Sequence, residues 1–316
     1  MKAGTSVRRR RATSADLPAV LALAQAADVA LLGETDWTEA DLREEWQDYD
    51  LERDVFLLEL ERRLAGYASF ERKGDSGRML VDGYVHPELK GRGVGSALLR
   101  LTEERAREDV PFVPAGERAY LQNATLVNDP AVPPLYAAHG YEPVRRHWRM
   151  VIDLERAPEP RVPDGIEVRL YREPEERRVV YETIEEAFED HWEHRRRTFQ
   201  EWSKRAFDVE GFDPSLVWVA LEGDEVVAAN LAYWKRQGDW GWVGSIGVRR
   251  PWRRRGIAEA LLETAFAEFF RRGERRVGLG VDAQSPTGAT RLYEKAGMHV
   301  FWEAVVYEKE LRAAGA

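Results

Sequence analysis

The sequence has 316 residues, a formal net charge of -9 and no cysteine. This length suits two domains of ordinary size, and a hydrophobic content of 44% is enough for a core in each. The acidic balance argues against a general nucleic-acid binder, because phosphate groups would be repelled. The lack of cysteine excludes disulfides, thiolate metal sites and cysteine nucleophiles.

The N-terminal segment has the composition of a targeting signal but is better explained as a helix. Arg8–Arg11 precede the apolar stretch LPAVLALAQAA, an order also typical of signal peptides. However, Ser14–Asp16 form a helix start, Asp28 interrupts the apolar run, and a similar pattern recurs at residue 166. No apolar run approaches the 18 or more residues of a membrane span. We therefore expect a cytoplasmic chain with neither a membrane nor a nucleic acid as its partner.

The chain contains two copies of one plan. The segment VDGYVHPELKGRGVGSALLRLTEERARE matches GSIGVRRPWRRRGIAEALLETAFAEFFRRG, and NDPAVPPLYAAHGYEPV matches SPTGATRLYEKAGMHVF. Between the copies, RAPEPRVPDG has the proline content of a linker and ends in Asp-Gly. The repeat predicts domains at residues 5–156 and 164–311, joined by a linker at 157–163.

Both copies predict the same order of elements. In the second copy IEVRL is a short strand, and apolar residues at helical spacing between Val180 and Phe188 indicate a helix. VWVALEGDEVVAANLAYW predicts two strands joined by a Gly-Asp hairpin turn, and WGWVGSIGV predicts another strand. A helical stripe from Ile257 to Phe269, the strand RVGLGVD and a helix opened by Pro286 follow. A final pair of strands, HVFW and AVVYEKEL, closes the copy. The order predicts an α/β fold (an α+β mixed sheet with helices on its faces), twice.

The turn before the long helix of each copy has the composition of an anion site. Its residues are Arg253, Arg254, Arg255, Gly256, Ile257 and Ala258 in the second copy, and Lys90, Gly91, Arg92, Gly93, Val94 and Gly95 in the first. A helix N-terminus presents unpaired N–H groups, glycine lets the backbone approach a ligand, and arginine adds donors suited to phosphate. The turn therefore predicts a pyrophosphate cradle, with a solvated basic turn as the alternative.

Two other phosphate-binding motifs do not match these turns. A dinucleotide fold needs Gly-x-Gly-x-x-Gly, but position 96 is Ser and the second turn has a single glycine. A P-loop needs Gly-Lys-Ser/Thr, which the sequence lacks.

The motif Arg/Gln-x-x-Gly-x-Gly/Ala, followed later by Leu-Tyr-x-x-x-Gly and an aromatic or apolar residue, resembles the GNAT superfamily of N-acetyltransferases. The matching residues are RRRGIA with LYEKAGM and KGRGVG with LYAAHGY, so the resemblance covers both halves of the chain. It implies two tandem GNAT-type domains and acetyl-CoA as the co-substrate, with the pyrophosphate bound by the arginine turn.

The resemblance also implies a role for the strand before the turn. In this superfamily the fourth and fifth strands splay apart, and the pantetheine arm pairs with the free strand edge. The corresponding residues are Ile246, Gly247 and Val248 in the second copy and Tyr84 and Val85 in the first, with Ser285 beside the cofactor at the next helix start. An N–H of this strand would hold the oxyanion that forms when an amine attacks the thioester.

Tyr293 matches the tyrosine that usually gives a proton to the departing thiolate. A phenol with a pKa of about 10 is protonated at neutral pH, as a general acid must be. The alternative is a core aromatic residue. In the first copy Pro130, Pro133 and Pro134 crowd the start of the equivalent helix, so we expect Tyr136 to be displaced. The first copy is then predicted to bind CoA without being catalytic.

The acceptor side has fewer signals. Glu186 and Asp190, with Trp192 beside them, are candidates for attracting a cationic amine, although a solvated helix face is the alternative. His191 and His194 lack a third ligand, so we predict no metal.

The tandem arrangement resembles the mycothiol synthases, two-domain GNAT proteins that acetylate a cysteinyl pseudodisaccharide. That resemblance implies an acid near the start of the second copy's fourth strand. This sequence departs from it, because Trp240 and Trp242 occupy that region and Asp239 only precedes them. We expect an N-acetyltransferase acting on a primary amine of a small molecule, with a mycothiol synthase-like activity as one alternative. A non-catalytic CoA-binding protein with a regulatory or structural role is the other.

Overall fold

The computed structural model describes residues 7–47, 49–74, 76–209, 211–235 and 239–315. The chain forms two compact units. The first consists of Met1–Arg146 together with Glu303–Ala316, and the second of His147–Trp302.

The first unit is a mixed sheet with helices packed on it. Its strands are β1 Arg8–Arg11, β2 Val55–Leu60, β3 Arg63–Arg72, β4 Arg78–Val85 and β5 Ala119–Leu126, and its helices are α1 Leu17–Leu32, α2 Glu39–Trp46, α3 Val94–Asp109 and α4 Val132–Ala138. The strands lie in the order β1-β2-β3-β4-β5, and among these described strands β4 and β5 pair in parallel while the other neighbours are antiparallel. A segment of the C-terminal strand, residues 304–312, closes the sheet beside β5.

Helix α1 is an internal helix of the first unit. By length and mean hydropathy alone the helical stretch Ser14–Leu32 could cross a bilayer, so our expectation that no apolar run approaches that length was wrong. Val20 and Leu23 on this helix are nonetheless buried in one cluster with Leu57 of β2. The apolar composition of α1 is therefore explained by packing against the sheet.

The second unit repeats the plan. Its strands are β7 Ile166–Leu170, β8 Val217–Glu222, β9 Glu225–Trp234, β10 Gly241–Val248 and β11 Arg276–Asp282, and its helices are α5 Arg177–Phe188, α6 Phe199–Ala206, α7 Ile257–Arg271 and α8 Ala289–Lys295. The strands lie in the order β7-β8-β9-β10-β11, with only β10 and β11 parallel. This confirms the predicted mixed sheet, formed twice.

The second half of the sequence supplies a strand to the sheet of the first unit, and the first half supplies a strand to the sheet of the second unit. Residues 304–312 of β12 (His299–Arg312) pair with β5, and residues 147–153 of β6 (Glu142–Asp153) pair with β11. The units therefore differ at their boundaries from the contiguous domains expected at 5–156 and 164–311. We expected HVFW and AVVYEKEL to form two strands. They form the single strand β12, because HVFWEAVVYEKELR contains no turn-forming residue.

Candidate active site

A gap opens between β10 and β11 in the second unit. The two strands pair only at Gly241–Val277 and Trp242–Gly278, so within the described strands the edge of β10 from Val243 onward faces no partner on that side. The register of β10 with β9 shifts between Val243 and Ser245, which leaves a bulge at Gly244. A bulge increases local twist and re-aims the residues that follow it. The free edge expected at 246–248 is therefore present.

Glycine is required at this bulge by close packing. A Cβ atom at Gly244 would lie 2.3 Å from Cε2 of Tyr233, and one at Gly247 would lie 2.6 Å from Cβ of Ala187 on α5. Helix α5 thus covers one face of the splayed strand. The opposite edge remains open to the gap.

The gap leads into a cavity of about 1070 Å³. The sequence-predicted residues that line it are Ile246, Gly247, Val248, Arg253, Arg254, Gly256, Ile257, Ala258, Ser285, Tyr293 and Trp192. Arg255, Glu186, Asp190 and Asp239 do not line it. The structure therefore brings together the strand edge, the arginine turn and the tyrosine, but not the acids expected on the acceptor side.

The arginine turn exposes its backbone amides at the start of α7. Gly256 has φ +83° and Arg254 φ +62°, both in the left-handed region. Among the described residues, no backbone carbonyl accepts from the amides of 254–258. A Cβ atom at Gly256 would meet only Pro163, at 3.5 Å, so the approach to these amides is open. The turn fits a pyrophosphate group.

Two arginines of this turn are held by carboxylates. Arg253 donates from Nη1 to Asp190 Oδ2 at 2.8 Å, and also to the carbonyls of Val248 and Ala187, each at 3.1 Å. Arg255 donates from Nη2 to Glu222 Oε1 at 2.7 Å. These contacts stabilise the turn. Arg254 is exposed, and within the described chain its side chain makes no hydrogen bond or ion pair.

The acids predicted to attract a cationic amine are engaged by arginine and lysine. Hydrogen bonds from Arg253 and Arg250 lower the pKa of Asp190. Glu186 Oε2 lies 3.5 Å from Nε of Arg249. Asp239 is exposed and lies 3.4 Å from Lys235. Of the four acceptor-side candidates only Trp192 faces the cavity.

Tyr293 lies on α8 and lines the cavity. The residue is buried, with a relative exposure of 7%, and it packs in the core of the unit. Burial raises the pKa of Tyr293 to about 12. The phenol is therefore protonated at any pH at which the protein would be assayed, as a proton donor requires.

The first unit carries the same arrangement with different details. Strands β4 and β5 pair as far as Val81–Asn123, which leaves 82–85 unpaired on that side, and a Cβ atom at Gly91 or Gly93 would meet nothing within 4 Å. Lys90 of the turn is paired with Asp129 at 2.7 Å.

Tyr136 keeps its place in the first unit, contrary to our expectation. It is the fifth residue of α4, as Tyr293 is of α8, and it packs on Tyr307 with ring centroids 4.7 Å apart. The structure explains why: Pro133 and Pro134 lie in the first turn of α4, where proline removes no helical hydrogen bond.

Sequence reasoning missed two carboxylates of the first unit. Asp82 lies at the end of β4 that is paired with β3 but not with β5. Burial and the negative charge of Glu45 on α2 raise the pKa of Asp82 to about 7. Burial also raises the pKa of Glu45. The sequence signal is a difference between the copies: the position of Asp82 in the first copy corresponds to the uncharged Ser245 in the second.

Together, the splayed parallel strands, the amide-rich turn and the buried tyrosine define the class of CoA-dependent acetyltransferases. Residues 177–298 match the family described as "Acetyltransferase (GNAT) family", and residues 52–143 match "Acetyltransferase (GNAT) domain". The chain belongs to the GNAT acetyltransferases, with two such domains in tandem and acetyl-CoA as co-substrate.

Related proteins support this assignment over the whole chain. A mycothiol acetyltransferase of Geodermatophilus obscurus is 31% identical over 295 residues, 91% of this chain and 92% of the relative. One from Thermobispora bispora is 29% identical and spans 78% of this chain and 80% of the relative.

Solved structures show the same architecture. A GCN5-related N-acetyltransferase from Sphaerobacter thermophilus is 36% identical with a TM-score of 0.88, covering 98% of this chain and 96% of that one. A tandem GNAT protein from the clavulanic acid biosynthesis pathway is 15% identical with a TM-score of 0.74, covering 96% and 98%, which shows likeness of fold alone.

Proposed function

We propose that the chain transfers the acetyl group of acetyl-CoA directly to a primary amine of a small molecule, and that this reaction takes place in the second unit. One observation carries the proposal. The free edge of β10, the turn at 253–258 and the buried Tyr293 all line a single cavity. The residues that we propose for the cofactor's phosphates, for its arm and for proton donation therefore share one cavity.

Each part has a physical role in this reaction. The amides at the start of α7 and the guanidinium of Arg254 would hold the pyrophosphate. The backbone of 246–248 would pair with the pantetheine arm, and one of its N–H groups would stabilise the oxyanion of the attacked carbonyl. Tyr293 would give its phenolic proton to the sulfur as the thiolate leaves.

We assign the first unit a CoA-binding role. Its turn has two glycines with positive φ and its strands splay at the same place, which supports binding. The position of Tyr136 removes one argument against catalysis there, so the catalytic assignment to the second unit is supported by the bulge at Gly244. The register of β4 with β3 contains no such shift.

A mycothiol-type acceptor is the second candidate. The observation in its favour is that relatives of similar length are named mycothiol acetyltransferases. The indole of Trp192, which lines the cavity, has a flat apolar surface of the kind that stacks on sugar rings.

A thiol-release assay tests the proposal. Acetyl-CoA is mixed with the full chain and a panel of primary amines that includes a cysteinyl-glucosaminyl-inositol acceptor. We expect release of CoA that depends on the acceptor, and acetylated amine by mass spectrometry. A non-catalytic CoA-binding protein would bind acetyl-CoA in calorimetry and release no thiol with any amine.

A further inference from the structure

His191 lies over the cavity on the segment that follows α5. Its backbone N–H donates to the carbonyl of Phe188 at 2.9 Å, and its own carbonyl accepts from His194 at 3.1 Å. Its ring packs on the ring of Phe188 with centroids 4.1 Å apart. Both rings line the cavity that Tyr293 also lines. The imidazole is thus held by packing and by the turn at the wall of the cavity.

The ring nitrogens are available for proton transfer. Within the part of the chain that the structure describes, no side-chain hydrogen bond involves the His191 ring. Burial lowers the pKa of His191, and the charges of Arg253 and His194 act in the same direction. Asp282, at the end of β11, and the neighbouring Asp190 act against them. The ring is neutral at pH 7 and can accept a proton.

The other titratable groups of the cavity have interactions of their own. His147, the second histidine of the lining, has its ring centroid 6.3 Å from that of Trp192 and makes a further interaction. Glu259 is paired with Lys295 at 2.6 Å. Asp282 accepts a hydrogen bond from the backbone of Gln284 at 2.9 Å. Tyr293 is protonated, so it cannot take the first proton from the ammonium group. The strand position where a carboxylate was expected from the mycothiol synthase resemblance holds Trp240 and Trp242 instead.

We propose that His191 is the catalytic base of the second unit, which takes the proton from the ammonium group of the acceptor. The inference rests on the proposed acetyl transfer. His191 accepts one proton from R–NH3+ and later releases it to solvent. The free amine forms the C–N bond with the acetyl carbon as the C–S bond breaks. Tyr293 protonates the departing sulfur and recovers a proton from the new amide nitrogen, so the sum is R–NH3+ plus acetyl-CoA to amide, CoA and H+.

Two amines of similar shape and different basicity test the role. Ethylamine is protonated at pH 7, whereas 2,2,2-trifluoroethylamine is largely the free base, because its fluorines withdraw electrons. His191→Gln should lower kcat/KM for ethylamine by about 10²-fold, the usual scale for losing a general base. The rate with 2,2,2-trifluoroethylamine should stay within a few-fold of the unmodified chain. In the variant, kcat/KM for ethylamine should rise with pH in proportion to the hydroxide concentration.

Controls separate this role from a structural one. His299→Gln changes an exposed histidine of the same unit that does not line the cavity, and both amines should keep their rates. CoA binding by calorimetry should be the same in His191→Gln. An NMR titration of the His191 ring should give a pKa below its ordinary value of about 6.5.

Several results would overturn the inference. An equal loss for both amines would mean that His191 only shapes the site, and an unchanged rate with ethylamine would mean that another group is the base. A ring that titrates well above pH 7 would be protonated at pH 7 and unable to act as the base. In each of these cases the unmodified chain would still acetylate an amine, so the proposed function would stand. The proposed function itself would be contradicted if the unmodified chain released no CoA in response to any amine.

Discussion

The carboxylate of Asp190 accepts a hydrogen bond from Nη1 of Arg253 at 2.8 Å and another from Nε of Arg250 at 3.2 Å. This pair joins the end of α5 to the turn that precedes α7. A carboxylate therefore neutralises two cations beside a site suited to phosphate, and its negative charge would oppose a bound pyrophosphate.

Asp190→Asn should tighten the binding of CoA to the second unit. Arg253 would keep its position, because the carbonyls of Val248 and Ala187 also hold it, while the competing charge is lost. We expect a decrease in Kd of roughly 2- to 5-fold at low salt, the scale of an exposed ion pair. Calorimetry measures it, with Glu189→Gln, an exposed neighbour, as the control. Weaker binding would show that Asp190 serves mainly to position Arg253.

Gly256→Glu should abolish CoA binding to the second unit. The left-handed φ of +83° costs roughly 1–2 kcal/mol for a residue with a side chain, and the carboxylate repels the phosphates. Calorimetry of the unmodified chain should find two CoA sites, or one if the first unit does not bind. Gly273→Glu carries the same backbone strain at the other end of α7 and should bind CoA normally. Unaltered binding in Gly256→Glu at every site would exclude the turn as the cradle.

Tyr293→Phe should lower kcat by roughly 10²-fold, the scale for losing a general acid, with little change in CoA affinity. Because the pKa of Tyr293 is raised to about 12, we expect no loss of rate from its ionisation below pH 10. Tyr136→Phe removes the matching hydroxyl of the first unit and should leave the rate nearly intact. A fully active Tyr293→Phe enzyme together with an inactive Tyr136→Phe enzyme would place catalysis in the first unit.

Gly244→Ala should destabilise the second unit and disturb its active site. The added methyl group would need to occupy space 2.3 Å from the ring of Tyr233, and overpacking of this kind costs about 1–3 kcal/mol. Urea unfolding measures the loss. Gly280→Ala, on the neighbouring strand, adds the same methyl group where nothing lies within 4 Å, so its stability should change much less. Equal stabilities would mean that the bulge is not constrained by Tyr233.

Asp82→Asn should alter how the stability of the first unit depends on pH. The pKa of Asp82 is about 7 when folded and near 3.8 when unfolded, so the folded state binds the extra proton between these values. Stability therefore falls as pH rises from about 4 to about 7. The variant lacks this fall and should be more stable than the parent chain at pH 7.5 by on the order of 1–2 kcal/mol, with little difference at pH 4.

Asp16→Asn is the matched control for sign. Arg10 lowers the pKa of Asp16, so this carboxylate contributes stability above its unfolded pKa that is lost as pH falls. Its removal should cost stability at pH 7.5 and little at pH 3. Urea unfolding of both variants across this range would contradict our account of Asp82 if the two curves had the same sign.

Local signals predicted much of the fold and part of the site. The repeat, the glycines of the two turns and the tyrosine after each Leu determined where strands, turns and helices lie, because these features depend on neighbouring residues. Ion pairs such as Arg253–Asp190, which join residues far apart in sequence, could not be anticipated. Charge composition alone therefore suggested an acidic acceptor wall where the structure shows compensated acids.

Features that depend on three-dimensional packing were likewise beyond sequence reasoning. The bulge at Gly244 lies against the ring of Tyr233 on the adjacent strand. β6 and β12 pair with strands from the opposite half of the sequence, which local patterns do not specify. His191 was considered only as a metal ligand. Sequence patterns could not place it in the cavity, because that position depends on how the segment after α5 packs in three dimensions.

The exchanged strand also governs the order of events during synthesis. β5 of the first unit cannot gain its neighbour until residues 304–312 have been made, and the ion pair of Arg118 with Glu308 joins positions 190 residues apart. At ribosomal rates of about 5–20 residues per second, the edge of β5 stays open for roughly 10 to 40 seconds. An open edge is a template for pairing with another nascent chain. Cutting the chain within 157–163 should accordingly yield two fragments that each lack a strand and that recover native sheets only when mixed.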